Sequence, residues 1–278
     1  MKTKLGFIGG GNMASSLIGG LINNSGKLKL TPKDIMVFEP NTAKAQQLND
    51  QFNIELATDN RQLLAYANVV VVAVKPQVLQ RVLEPLKEAF ATNNPLVISI
   101  VAGITSHSIE QWLENDLAIV RVMPNTPALV GAGASGLYAN QRVSKQQRLV
   151  TEGLINAVGM SRWVNNESDI DSITALSGSG PAYFMLFMQC LIDAAQAAGL
   201  DADTAKDLAI ATASGSAKLV ENSEQSLSTL IDNVTSPGGT TEQALNSFQS
   251  NSLPSIVNAA FESARIRSQE LAEQLGKS

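Results

Sequence analysis

The amino-acid sequence predicts an α/β protein in which an N-terminal doubly wound sheet over residues 1–165 is followed by an all-α domain over 166–278. Three observations predict this. Short β-branched runs alternate with amphipathic helical stretches up to about residue 165, the pattern of βαβ units around a mostly parallel sheet. Three consecutive glycines, Gly9-Gly10-Gly11, separate the first apolar run from a helix. After "NNESDID" the strand signal vanishes and the remainder reads as helix.

In chain order, "LGFI", "IMVFE", "VVVVAV", "LVISIVA" and "AIVRVM" read as strands, the third and fourth apolar enough to be buried on both faces. Amphipathic stretches at 42–52 and 76–90 read as covering helices. "GASGLYAN" and "SRWVN" read as further strands, antiparallel pairing being open to them, around a helix at 144–157. In the helical half, breaks fall at "GSGP", "GLDADT", "SPGG" and "SNSLP", with Thr204, Thr240 and Ser252 as cap-region residues and Pro181 in a first turn.

Composition narrows the chemistry. A 44% hydrophobic content supports a real core, and a formal charge of -5 without a basic cluster argues against nucleic acid and anionic membrane as partners. The most apolar stretch, 182–200, is interrupted by Gln189, Asp193 and Gln196, so no membrane span is expected, and the N-terminus lacks a signal-peptide apolar region. One cysteine, Cys190, excludes an intrachain disulfide, fits a reducing, cytoplasmic setting, and reads as a core residue. One histidine, His107, leaves no His-based metal cluster or Ser-His pair to build, and it reads as a surface residue. The reactive group is therefore expected from a cofactor, with no metal.

Gly9-Gly10-Gly11-Asn12-Met13-Ala14 fits G-x-G-x-x-[G/A] between a strand and a helix, the context in which the pattern marks dinucleotide binding. Gly9 permits the turn, Gly11 lets amides approach a pyrophosphate, and Ala14 keeps helix and strand close. The domain is then Rossmann-type; an ordinary tight turn is the competing reading. Glu39 ends the second strand about 25 residues later, where a carboxylate accepts from an adenosine ribose and repels a 2'-phosphate. That favours NADH, unless Glu39 merely ends an exposed strand. Ala73-Val74-Lys75-Pro76 closes the third strand, with Lys75 either facing a dinucleotide or simply solvated. "MPNTPALVGAG" forms a rigid polar loop after another strand, a candidate ligand wall. "SGSGP" and "NVTSPGGTTEQAL" stand apart in the helical half. In the latter, amides at a helix start suit a small carboxylate, while Thr240 and Thr241 either cap that helix or meet a substrate.

"GFIGGGNM", "AVKP", "MPNTPA", "SGSGPAY" and "DNVTSPGGTT" occur in the order and spacing of the Δ1-pyrroline-5-carboxylate reductase family, which the chain resembles over essentially its whole length. The resemblance implies that NADPH or NADH reduces a cyclic imino acid, the last step of proline synthesis. It also implies a helical domain interlocked in a homodimer, such dimers commonly assembling into a decamer. It carries cofactor contacts to Gly9, Gly10, Gly11, Asn12, Met13, Ala14, Asn60, Ala73, Val74, Lys75 and Pro76, with Ala102 beside the nicotinamide. Substrate contacts go to Glu224, Ser236, Gly238, Gly239, Thr240 and Thr241, the last near the ring nitrogen and counted as catalytic. Glu39 departs from the small or hydroxyl residue common there, which puts an NADPH preference in doubt. The alternatives are a β-hydroxyacid dehydrogenase, whose helical-domain lysine is not matched by Lys206, Lys218 or Lys277, and a non-catalytic dinucleotide-binding regulator, which has no use for "SPGGTT".

Overall fold

The computed structural model describes residues 2–23, 28 and 30–276; Lys277 lies outside them. In chain order the elements are β1 (Leu5–Ile8), α1 (Asn12–Asn23), β2 (Ile35–Phe38), α2 (Thr42–Phe52), β3 (Glu55–Leu56), α3 (Asn60–Tyr66), β4 (Val69–Val72), α4 (Pro76–Leu83), α5 (Lys87–Asn93), β5 (Leu96–Ser99), α6 (Ser106–Leu113) and β6 (Ile119–Met123). There follow β7 (Gly133–Ala139), α7 (Lys145–Ile155), β8 (Gly159–Trp163), α8 (Asp169–Ile173), a π-turn (Thr174–Gly178), α9 (Gly180–Ala197), α10 (Ala202–Glu221), α11 (Leu227–Asn233), α12 (Thr240–Ser250) and α13 (Leu253–Gly276).

The strands form one sheet in the order β3-β2-β1-β4-β5-β6-β7-β8. Pairing is parallel throughout except between β6 and β7. β8 runs parallel to β7 because α7 intervenes as a crossover. Alternation along each strand sends side chains to opposite faces. Phe7, Val71 and Ile98 pack with Leu17 and Ile18 of α1 on one side. Ile8, Val70, Val72 and Val97 pack with Leu63, Leu79, Phe90 and Ile109 on the other. The two-residue β3 has no signal in the sequence, and the helix expected over 76–90 is split where Pro85 interrupts it.

Packing divides the chain into two units. One takes in the chain through Ser179 and again from Ala264; the other runs Gly180–Ser263. This differs from the expected division at 165/166, because the segment after β8 is tied to the sheet. Glu167 accepts from the Ser106 amide (2.6 Å) and hydroxyl (2.7 Å) and pairs with buried Arg121 (3.0 Å). Gly136 of β7 leaves the room that Ile173 fills, and Ser268 of α13 donates to Asp171 at 2.7 Å. Loss of strand signal marks the last strand rather than the last packed residue.

In the second unit only Gly180 and Ala205 are buried among the described residues. Cys190 is exposed, contrary to its reading as a core residue, because this unit encloses no core of its own. The helical run Asp169–Ala197 (29 residues, mean hydropathy 1.3) is long and apolar enough to cross a membrane by length and composition. Two of the polar residues that interrupt it satisfy each other: Gln189 donates to Asp193 at 2.7 Å.

Candidate functional site

β1 delivers the chain into the glycine turn. Gly9 has φ +98°, and a Cβ there would lie 2.9 Å from the Ala73 carbonyl oxygen, so the turn requires glycine. Its amide donates to the Phe38 carbonyl at 2.9 Å. At Gly10 a Cβ would meet Leu48 at 2.6 Å. Gly11 differs: nothing lies within 4 Å of where its Cβ would be. Internal packing therefore does not explain the third glycine, whereas an anion resting against the start of α1 does. Asn12 and Met13 open α1, and Ala14, in its first turn, is buried.

The other candidates of this unit follow the carboxyl ends of parallel strands. Glu39 leaves β2, and its carboxylate accepts from the amides of Gly10 (2.9 Å) and Asn41 (3.1 Å). Asn60 opens α3 behind the Asp59 cap, and its Oδ1 is buried without a hydrogen-bond partner, alone in this among the described side chains. Such an atom calls for a donor from elsewhere. Ala73 bonds back to Ile8 (2.9 Å), Val74 follows, exposed Lys75 precedes α4, and Pro76 is its first residue. Ala102 is exposed beside Gly103, whose φ of +72° turns the chain after β5. The structure thus brings Gly9 to Ala14, Glu39, Asn60, Ala73 to Pro76 and Ala102 to one sheet edge. Strand order reverses there between β1 and β4, the place where open α/β sheets bind ligands. An open cradle and an unpaired acceptor fit a dinucleotide.

The substrate candidates all lie in the second unit. Glu224 is exposed in the loop between α10 and α11, and its neighbour Gln225 accepts from Asn233 at 3.0 Å, drawing that loop to the end of α11. Ser236 accepts from the Gly239 amide (2.9 Å), and Gly238 has φ +70°. The capping role considered for Thr240 and Thr241 does not hold: Gly239 is the N-cap, with no side-chain cap bond, and the threonines are the first two helical residues. Among the described residues neither threonine hydroxyl has a partner, so both are free for a ligand. Glu242, unnoticed in the sequence, reaches back to the Gly238 amide at 2.8 Å. Thr204 and Ser252 lie in cap regions as expected: Asp201 caps α10 by accepting from the Thr204 amide at 3.0 Å, and Ser252 immediately precedes α13, its carbonyl accepting from the Ile256 amide at 3.1 Å.

A charge cluster centred on buried Asp34 lies away from this edge. Burial alone would push the Asp34 carboxyl up, but hydrogen bonds from Lys2, Lys4 and Thr31 outweigh it and hold the group well below the usual carboxylate range. It ties the amino ends of β1 and β2 together and is structural. His107 is exposed on α6, as expected.

A family profile described as pyrroline-5-carboxylate reductase dimerisation matches residues 167–271, and one described as NADP oxidoreductase, coenzyme F420-dependent, matches residues 4–103. A pyrroline-5-carboxylate reductase of Pseudomonas aeruginosa is 44% identical over 99% of this chain and 98% of its own. The chain belongs to the pyrroline-5-carboxylate reductase family. A solved pyrroline-5-carboxylate reductase from Coxiella burnetii superposes with a TM-score of 0.92 at 42% identity, covering 98% of this chain and 99% of that one. The Plasmodium falciparum pyrroline carboxylate reductase, solved with NADP bound, gives 0.85 at 33% identity over 98% and 99%. Pyrroline-5-carboxylate reductase membership replaces the β-hydroxyacid dehydrogenase and regulator alternatives.

Proposed function

We propose that this chain reduces 1-pyrroline-5-carboxylate to L-proline with NAD(P)H, the last step of proline biosynthesis. The full-length match to the reductase from Pseudomonas aeruginosa carries the reading, and the open Gly11 cradle supports it. A bound nicotinamide dinucleotide supplies hydride. The chain's own residues hold and orient. The turn Gly9 to Ala14 receives the pyrophosphate through amides at the start of α1, since the Gly9 and Gly10 amides are held by Phe38 and Glu39; Asn60 and Ala73 to Pro76 flank the dinucleotide, and Ala102 borders the nicotinamide. Glu224 and the Ser236–Thr241 loop hold the cyclic imino acid. The unpartnered hydroxyl of Thr241 bonds the ring nitrogen, which gains electron density as hydride reaches the neighbouring carbon and must carry a proton. An imine accepts hydride readily, so positioning two ligands is the main task.

Glu39 favours NADH, because a carboxylate just after β2 accepts from an adenosine ribose and repels a 2'-phosphate. The helices that follow β8 form the dimerisation domain, dimers assemble further into a decamer, and the enzyme works in the cytoplasm without membrane or nucleic acid as partner. The test is direct. Protein, pyrroline-5-carboxylate and either NADH or NADPH are mixed, and absorbance at 340 nm is followed; no loss with either cofactor defeats the proposal.

A further inference from the structure

Two motifs remain outside this account, "MPNTP" and "SGSGP". They meet through one side chain. Asn125, 8% exposed, follows β6; its Nδ2 donates to the Ser177 carbonyl at 2.9 Å, and its Oδ1 accepts from the Ala134 amide at 2.9 Å.

The Ser177 carbonyl needs that donor for a covalent reason. In an α-helix it would accept from the amide of residue 181, which is Pro181 and has no N–H. The turn here is also widened: Ser179 donates to Thr174 at 2.8 Å, five residues back. Hydroxyls serve the preceding carbonyls, Thr174 to Ile170 (2.8 Å) and Ser177 to Ile173 (3.2 Å). Gly178 faces Met123, the last residue of β6, with room for ordinary contact only. β6 is parallel to β5, so this π-turn sits at the same sheet edge as Ala73 to Pro76 and Ala102. A π-turn at a functional edge is a frequent device, and it persists only where neighbours supply the missing bonds.

We propose that Asn125 is a positioning residue for hydride transfer: by bonding Ser177 and Ala134 together it holds the π-turn Thr174–Gly178 at the cofactor-bearing edge of the sheet. The side chain suits the task because an amide offers one donor and one acceptor in fixed relation. Aspartate keeps the acceptor toward Ala134 but sets an oxygen against the Ser177 carbonyl. Small displacements near reacting groups have large kinetic effects, on the order of 10²-fold for 1 Å.

This rests on the reductase reading, and the experiment separates the two. Asn125→Ala and Asn125→Asp are compared with the parent for turnover of pyrroline-5-carboxylate, NADH affinity by fluorescence, and the primary deuterium isotope effect from deuterated NADH. Turnover is expected to fall by roughly 10²-fold while NADH affinity stays within about threefold. The isotope effect should rise as the hydride step becomes limiting. A residue that only stabilises the fold would lower the melting temperature and leave the isotope effect of folded protein unchanged. Should Asn125→Ala not fold, Asn125→Ala/Pro181→Ala restores a backbone donor at 181 and is measured instead. That variant is expected to recover stability but not turnover. Turnover within about threefold of the parent in any folded variant overturns the proposal. A parent inactive with pyrroline-5-carboxylate and both cofactors defeats the function itself.

Discussion

Phe7, Leu63 and Phe90 have no exposed surface, whereas Phe184, Leu186 and Leu208, in the other unit, are 73%, 66% and 57% exposed. The sequence is comparably apolar in both places. What differs is the cover: the sheet unit lays helices over both faces of its strands, while α9 to α12 have no such layer to bury their outer residues. Apolar surface of that extent on a folded chain marks an interface. Here it coincides with the family's dimerisation profile at 167–271. The first unit completes its core within one chain; the second is built to complete its core with another.

The comparison breaks most visibly under a charge placed in each unit. Val71→Asp, in the middle of the sheet, should prevent folding altogether, since a lone carboxylate has no partner there. Phe184→Asp should leave the sheet unit folded and able to bind NADH, while sedimentation shows monomers and turnover drops by at least about 10²-fold. A Phe184→Asp protein that remains dimeric and active would show that α9 faces solvent.

The next largest effect sharpens the roles within the second unit. Because Gly239 caps α12, Thr241→Val should leave the melting temperature nearly unchanged and lower turnover by roughly 10²-fold, more than it weakens substrate binding. A drop in melting temperature with turnover retained would make Thr241 a structural residue. In the first unit, Glu39→Ser frees the Gly10 and Asn41 amides and removes a negative charge. The NADPH-to-NADH ratio of kcat/KM should rise by about tenfold, near 1.4 kcal/mol. An unchanged ratio removes Glu39 from cofactor selection.

The smallest effect on turnover is expected at Asp34, which serves only the self-contained unit. Its folded-state pKa is depressed, so its stabilisation is present above the ordinary carboxylate value and is lost as pH falls through the folded one. Asp34→Asn should therefore lower stability at pH 7 by roughly 2 kcal/mol. The gap from the parent should close in strongly acid solution, with turnover at 25 °C unaffected. Equal acid-unfolding curves for the two proteins would contradict the assignment.

Much of this is legible in the amino-acid sequence. β-branched runs with period two and helices with period 3.6 are local properties, so β1, β2, β4, β5, β6 and the glycine turn could be read where they stand. β3 could not, since two residues carry no period. The family motifs also named most of the candidate site, because a backbone that must approach a ligand restricts residue type at each step.

What the sequence by itself determined was therefore local: which segments become strands or helices, where glycine is required, and that the reactive group is borrowed. Tertiary structure decided what depends on residues far apart in the chain. It set Glu39 on the Gly10 amide, left Asn60 Oδ1 without a partner, joined Asn125 to Ser177, and gave the cap of α12 to Gly239. It also turned Cys190 outward, because an apolar helix pattern states that a face will be covered but not by what. The physical reason is common to all of these. Hydrogen-bond satisfaction and burial are settled by whichever groups the fold brings within reach, and no local period encodes them.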